Sequence, residues 1–224
     1  MKKLLLMFVF AVSTAFAAQA QNASFGVRGG ANISNLSGDL RDEERFENKV
    51  GFHAGVMANF GIVENFFSIQ PELLYSVKGF KHEDSEFTLP LLGQVRRREG
   101  KVHYNYLDFP VLAKIKAGPL YFEAGPQASY LLSVNNETKT YDGNGNLIAS
   151  NTDSKSKSGL AEFEVGYAAG IGFTSANNAI SFGVRYNGAF SDFVKEDVNF
   201  DGDLTNARHS TFMVTVGLAL PTSR

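Results

Sequence analysis

The chain has 224 residues, of which 44% are hydrophobic, and its 21 basic and 23 acidic side chains give a net charge of −2. This weak acidic balance argues against a nucleic-acid partner, and the lack of cysteine excludes disulfide bonds and thiolate metal sites. After the first twenty residues, no segment has the roughly 18 consecutive apolar residues that a membrane helix requires. If the chain enters a membrane, it must therefore cross it as β-strands.

The first twenty residues have the three parts of a secretory signal peptide. Two lysines precede an apolar run from Leu4 to Ala17, and Ala18-Gln19-Ala20 supplies the small-x-small pattern that signal peptidase reads. The run has about 14 residues, fewer than the roughly 20 that span a bilayer. We therefore expect residues 1–20 to be cleaved and residues 21–224 to form one exported domain.

Eight later segments alternate apolar residues with polar or small ones, which predicts eight β-strands with one apolar face each. The segments are 12 to 15 residues long. Soluble strands usually have about 5–6 residues, and tilted membrane strands about 9–11. The eight segments are Ala23–Ser34, Lys49–Phe60, Phe66–Lys78, His103–Lys116, Leu120–Val134, Glu162–Thr174, Ala179–Ser191 and Arg208–Leu220.

The connections between these segments alternate strictly between short and long. The short ones are residues 61–65, 117–119 and 175–178, and the long ones are residues 35–48, 79–102, 135–161 and 192–207. Tight periplasmic turns and long external loops are typical of an up-and-down barrel in an outer membrane. The predicted fold is therefore all-β, an eight-stranded antiparallel up-and-down transmembrane β-barrel with short periplasmic turns and long external loops.

The two faces of the predicted strands differ in side-chain size. The apolar faces carry many of the 20 Phe and 8 Tyr residues, whereas the polar faces are rich in glycine. Glycine weakens a strand and has no use on a water-facing surface, but small residues fit the narrow interior of an eight-stranded barrel. We therefore place the apolar faces in lipid. The alternative is a soluble periplasmic ligand-binding barrel, in which the two faces exchange roles.

In the membrane orientation, several charged side chains point into the lumen. Buried charges are tolerated when they are paired and hydrogen-bonded, so we expect these residues to form a network that fills the barrel. A charged translocation path is the functional alternative. The residues are Arg28, Glu72, Asp108, Lys114, Glu123, Glu164 and Arg185.

Short motifs occur in a fixed order along the predicted strands. They are Gly26-Val27-Arg28-Gly29-Gly30-Ala31-Asn32, Ser68-Ile69-Gln70-Pro71-Glu72-Leu73-Leu74-Tyr75-Ser76, Tyr106-Leu107-Asp108-Phe109-Pro110-Val111-Leu112, Tyr121-Phe122-Glu123-Ala124-Gly125-Pro126 and Arg185-Tyr186. The ordered set resembles the outer-membrane β-barrel family abundant in Bacteroidetes, whose members are often called porin-family or PorT-like proteins. The resemblance implies an outer-membrane location and insertion by the barrel insertion machinery.

One segment matches the first half of a calcium-binding loop. Asp197, Asn199 and Asp201 alternate and are followed by Gly202, which is the pattern that lets carboxylates converge on a hard cation. The twelfth position of such a loop holds a bidentate Glu, but here it is Arg208. A calcium site and a solvated acidic loop are the two interpretations, and no other cofactor is expected.

Two further features lie in the predicted external loops. Arg96, Arg97 and Arg98 are candidates for contact with lipopolysaccharide phosphates, with a solvated charge run as the alternative. Residues 141–146 are rich in turn-forming residues, which predicts that the third loop extends as a hairpin above the membrane.

Catalytic motifs are lacking: the sequence contains no G-x-S-x-G elbow, H-E-x-x-H pair or phosphate loop. We therefore expect a noncatalytic outer-membrane barrel that maintains the envelope or forms a narrow channel and contacts lipid, lipopolysaccharide and surface partners. The alternative is a component or accessory of an envelope protein-secretion complex.

Overall fold

The computed structural model describes residues 23–37, 46–88, 95–155, 157, 159–192 and 207–221. These residues form nine β-strands, and no helix among them is long and apolar enough to span a membrane. The strands are β1 (Ala23–Ser37), β2 (Phe46–Val63), β3 (Phe67–Thr88), β4 (Val95–Ala117), β5 (Leu120–Tyr141), β6 (Leu147–Lys155), β7 (Phe163–Thr174), β8 (Ile180–Ala189) and β9 (Arg208–Ala219).

Eight of these strands close into a ring. Each pairs antiparallel with its neighbours in the order β1-β2-β3-β4-β5-β7-β8-β9, and β9 pairs with β1 to complete the circle. The remaining strand, β6, pairs with the distal part of β5 outside the ring. The predicted eight-stranded antiparallel up-and-down barrel is therefore confirmed.

Three short turns lie at one end of the ring, which we call the turn end; the opposite end is the loop end. The turns join β2 to β3, β4 to β5 and β7 to β8. Each contains a residue with positive φ: Asn65 (55°), Gly118 (64°) and Asn178 (56°). Glycine and asparagine tolerate this left-handed conformation better than other residues, which explains why these residues occupy the tight turns.

The wall of the ring turns its apolar face outwards. Phe25 is 55% exposed and Phe122 is 50% exposed, whereas Arg28 and Glu123 are 2% and 4% exposed. The same alternation runs round the ring, and it exposes a continuous belt of large apolar side chains. The belt includes Phe25, Val27, Phe52, Val56, Leu73, Phe109, Phe122, Val165, Phe182, Val184, Phe212 and Val214. The soluble-barrel alternative, which requires the opposite orientation, is wrong.

At the loop end, two predicted loops are largely strand. Within the predicted loop 79–102, residues 79–88 and 95–102 are strand, because β3 and β4 continue as paired strands. Beyond the apolar belt both faces of a strand meet water, so the ladder hydrogen bonds persist while the period-two apolar signal stops. Sequence alternation alone therefore underestimates the length of these strands.

The predicted hairpin in the third loop is confirmed. β5 and β6 pair antiparallel between Val134 and Lys155, and the turn between them is closed by a hydrogen bond of 2.9 Å from Asp142 N to Asn146 O. Together, residues 79–88, 95–102, 135–141 and 147–155 form a four-stranded extension of the wall. We call this extension the raised sheet.

A charge introduced into the belt should cost more than one introduced into the raised sheet. Val184 and Leu147 are almost equally exposed, at 52% and 53%, but only Val184 lies in the belt. We expect Val184→Arg to lower the free energy of unfolding by about 2–4 kcal/mol, as lipid-facing arginines do near the bilayer midplane. Leu147→Arg is the matched control and should change it little. Urea unfolding in lipid vesicles, followed by circular dichroism, measures both; equal effects would contradict the assignment of the belt to lipid.

Candidate functional site

Two arginines and two glutamates cross the lumen in its turn-end half. Arg185 donates to Glu72 over 2.8 Å and 3.0 Å, and to Glu123 over 2.7 Å and 2.9 Å. Arg28 also donates to Glu72 and, over 3.4 Å, to Glu123. The four residues come from β1, β3, β5 and β8, so their contacts span the ring instead of following one strand. We call these four residues the arginine–glutamate cluster.

The arginine–glutamate cluster is closed to solvent. The side chains of Arg28, Glu72 and Arg185 are 0% exposed, and that of Glu123 is 2% exposed. Removing charges from water is costly unless they are paired and hydrogen-bonded, and two cations facing two anions meet that condition. Gln70 adds a hydrogen bond of 2.7 Å to Glu72. The cluster is therefore a neutral filling of the lumen.

Lys114 and Tyr121 fill the lumen on the turn-end side of this cluster. Lys114 Nζ lies 3.8 Å from the centroid of the Tyr121 ring, a cation–π distance. The Tyr121 hydroxyl accepts a hydrogen bond of 3.4 Å from Arg28. A Cβ atom at Gly172 would lie 2.5 Å from Cζ of Tyr121, so only glycine leaves room for the ring at that position. This contact explains why small residues alternate with large ones inside the barrel.

A second polar group lies nearer the loop end. Lys78 Nζ is 2.9 Å from an oxygen of Asp108 and 4.7 Å from the centroid of the Tyr106 ring. Glu164 accepts contacts from His209 Nδ1 at 2.9 Å and from the Tyr106 hydroxyl at 3.4 Å. A cavity of about 10 Å³ beside Lys78, Glu164 and His209 is large enough for roughly one water molecule.

The seven charges predicted from the sequence all lie inside the ring, but they form two groups. Four make up the arginine–glutamate cluster with Lys114 beside it, whereas Asp108 and Glu164 take Lys78 and His209 as partners. Sequence reasoning missed both of these partners. Lys78 is the last residue of the third alternating segment, and His209 is the second residue of the eighth. For His209, the period-two spacing from Thr211 and Thr215 indicates the buried face.

The loop-end part of the lumen is apolar. Its buried cluster packs side chains from β1, β3, β4 and β5, and Leu160 packs against it from the segment that leads into β7. The prediction that only polar and small residues face the lumen is wrong here, because a space without water is filled equally well by close-packed hydrocarbon. The members of this apolar cap are Leu36, Phe80, Val102, Tyr104, Tyr106, Leu131, Val134 and Ala207.

The three consecutive arginines lie in β4 within the raised sheet, not in a loop. Strand alternation places Arg96 and Arg98 on the face that continues the lumen side, together with buried Val102 and Tyr104. Arg97 lies on the opposite face, which continues the lipid-facing side. We call these the inner face and the outer face of the raised sheet.

Arg97 is held by neighbours on the outer face. It lies 3.0 Å from Glu99, and its guanidinium carbon is 4.9 Å from the centroid of the Tyr141 ring. Farther along the same face, Lys139 lies 2.9 Å from Glu137 and lowers the pKa of that carboxyl through their hydrogen bond. Basic and acidic groups on the outer face therefore neutralise one another.

The predicted calcium loop at Asp197, Asn199 and Asp201 lies outside the described residues. Within the described ranges, no group of three or more His, Cys, Asp or Glu side chains is placed to hold a metal ion.

Breaking the arginine–glutamate cluster should destabilise the barrel strongly. Arg185→Met leaves Glu72 and Glu123 with too little positive charge in a closed lumen, and we expect a loss of about 3–5 kcal/mol in the free energy of unfolding. Lys116→Met is the control, because Lys116 makes an exposed contact of 2.9 Å with Asn178 at the turn end. The double variant Arg185→Met/Glu123→Leu removes one charge of each sign and should recover most of the loss. Urea titration of refolded protein measures all three; an Arg185→Met variant as stable as the control would contradict the analysis.

Comparison with known proteins yields one family and several solved structures. Residues 18–195 match the family described as "Outer membrane protein beta-barrel domain". No curated protein sequence matches the chain.

Two solved structures are similar at 14% identity. One is Ail, the attachment invasion locus protein of Yersinia pestis, solved in complex with the heparin analogue sucrose octasulfate; the match covers 89% of this chain and 99% of that one, with a TM-score of 0.43. The other is Neisserial surface protein A, with 88% of this chain and 97% of that one covered and a TM-score of 0.38.

Proposed function

The chain belongs to the outer membrane protein β-barrel domain family, and from this membership we propose that it is a noncatalytic barrel with a sealed lumen that acts at the surface through its raised sheet. The barrel lies in the outer membrane, with its apolar belt in lipid and its loop end outside the cell. No step of this role needs a cofactor.

The filled lumen is the observation that carries the proposal. An eight-stranded ring leaves barely enough interior for side chains. Here the arginine–glutamate cluster crosses one half of the lumen, and the apolar cap fills the loop end. Ions would have to displace both layers, so we favour a structural role in the envelope over a narrow channel.

The three histidines whose side chains the structure describes support a noncatalytic role. His53 Nδ1 lies 2.7 Å from Asn32 inside the lumen, and His209 contacts Glu164 there. His103 contacts Glu137 at 3.4 Å on the outer face, whereas the hydroxyl of Ser85 on the neighbouring strand lies on the inner face, in register with Arg98. A nucleophile and its base must be within hydrogen-bond reach, and these two lie on opposite faces of the sheet.

Export and assembly follow from the sequence features. We propose that residues 1–20 act as a cleaved signal peptide and that the insertion machinery folds residues 21–224 into the membrane. The ordered motifs support placement among the porin-family or PorT-like barrels of Bacteroidetes. Lipopolysaccharide packed around the belt would meet the outer face of the raised sheet, including Arg97.

A second candidate function is an accessory role in an envelope protein-secretion complex. Its support is β6, which pairs with β5 on one side and with no other strand in the described part of the chain. An unpaired strand edge accepts a strand from a partner. A copurified envelope protein whose retention depends on residues 147–155 would favour this role.

Planar-bilayer recording of the refolded protein tests the sealed-lumen proposal. We expect no discrete conductance steps from the native barrel, because paired charges and the apolar cap occupy the lumen. Heat-modifiable gel mobility of the same sample must first show that the barrel is folded. Reproducible single-channel steps from folded protein would overturn the proposal in favour of the channel.

A further inference from the structure

The inner face of the raised sheet carries two arginines that lack the glutamate partners found on the outer face. Arg96 and Arg98 lie on this face, and neither is within ion-pair distance of a described carboxylate. Nε of Arg96 is buried and has no hydrogen-bond partner among the described residues. The outer face differs, because its basic groups Arg97 and Lys139 each contact a glutamate.

Serine, threonine and phenylalanine side chains flank these two arginines, and Asp142 lines the same cavity as Arg96. The register of the sheet places Ser85 and Thr140 on either side of Arg98, and Phe87 beside Arg96. Thr138 follows Thr140 at the next position on the same face. Hydroxyl groups beside a guanidinium are donors and acceptors for sugar hydroxyls, and an exposed aromatic ring packs against the apolar face of a sugar.

Two carboxylates border the inner face, but both are already hydrogen-bonded. Asp142 accepts from the backbone N–H groups of Asn144 and Asn146 at 2.9 Å and 2.8 Å, which holds the pKa of its carboxyl below the ordinary value. Asp153 accepts from Asn151 at 3.0 Å. Neither carboxylate forms an ion pair with Arg96 or Arg98, although the charge of Arg96 also contributes to the low pKa of Asp142, so the two guanidinium groups stay available to an added anion.

We infer that the inner face of the raised sheet binds an acidic polysaccharide, with Arg96 and Arg98 pairing with its carboxylate or sulfate groups. Guanidinium groups form bidentate, charge-assisted hydrogen bonds with such anions. This inference rests on the proposed function, since it names the ligand class of the same surface.

The direction of the inner face identifies the source of the saccharide. Lipopolysaccharide in the surrounding leaflet packs against the belt and meets the outer face. The inner face continues the lumen side of β4, so it overlooks the mouth of the barrel, where the apolar cap closes the lumen. A ligand on it therefore arrives from the external medium. On this inference Arg97 is the one of the three arginines that faces lipopolysaccharide, while Arg96 and Arg98 face the external medium.

The test measures polysaccharide binding by barrels that differ in which face has lost charge. The protein is reconstituted in phosphatidylcholine nanodiscs free of lipopolysaccharide, and polygalacturonate is the probe, with neutral dextran as its control. Arg96→Gln/Arg98→Gln removes two cations from the inner face. Arg97→Gln/Lys139→Gln removes two cations from the outer face of the same sheet and is the charge-matched control.

We expect the native barrel to bind polygalacturonate and not dextran. The inner-face variant should bind roughly tenfold more weakly or worse, as expected for the loss of charge-assisted hydrogen bonds, and the outer-face variant should bind within about twofold of the native protein. Equal weakening by the two variants would reduce the effect to general electrostatics and overturn the inference. So would an absence of binding by the folded native barrel. Failure of this test would not contradict the proposal of a sealed lumen, because conductance tests that proposal separately.

Discussion

Ring closure in hydrocarbon is the constraint on which the rest of this molecule depends. A strand in the bilayer core finds no water for its backbone N–H and C=O groups, so every one of them must be paired with a neighbouring strand. Eight strands satisfy that requirement when β9 pairs with β1. The same closure makes a lumen too narrow for bulk water, and whatever side chains point inwards must satisfy one another. The pairing of Arg28 and Arg185 with Glu72 and Glu123 follows from that restriction.

Above the belt, water can hydrogen-bond to the backbone, so the strands no longer have to close into a ring. β3, β4 and β5 continue beyond the ring and gain β6 as a fourth strand, held by ladder hydrogen bonds and by side-chain pairs on each face. Alternation still separates the two faces, so neighbouring residues such as Arg97 and Arg98 have different surroundings. On the outer face Arg97 and Lys139 pair with glutamates, while Arg96 and Arg98 on the inner face form no ion pair with a described carboxylate. The molecule thus combines a neutral, filled barrel with an external sheet whose two faces differ in how their arginines are paired.

The sequence predicted the ring well because one physical signal repeats through it. Wherever one face of a strand meets lipid and the other the lumen, the two faces differ in polarity, and the period of two identifies the strand, its limits and its inward residues. Glu72 and Arg185 were therefore predicted to lie inside from alternation alone. Which cation pairs with which anion could not be predicted, because that depends on the register of strands far apart in the chain. Arg28 and Glu72 are 44 positions apart, and Arg185 and Glu72 are 113 apart.

Two other parts of the structure gave no such signal. The apolar cap breaks the rule that inward residues are polar: Leu131 and Val134 are buried in the lumen although their chemistry resembles that of the belt. The raised sheet is solvated on both faces, so its sequence lacks the apolar alternation of a strand and resembles that of a loop. His209 gave no clear signal either, because it is the second residue of β9 and borders a predicted loop. The apolar cap, the raised sheet and His209 all lie at the loop end, where the lipid-facing belt gives way to water.

The cross-barrel position of the arginine–glutamate cluster also has a consequence for the order of assembly. Its acids lie on β3 and β5, which belong to the continuous meander β1 to β5, while Arg185 lies on β8. Until the C-terminal strands arrive, Arg28 is the one cluster cation available to both carboxylates, and Glu72 and Glu123 lack the four hydrogen bonds that Arg185 donates. The arrival of β8 supplies those hydrogen bonds and completes the pairing of the two carboxylates. The strands that complete the wall therefore also complete the filling of the lumen.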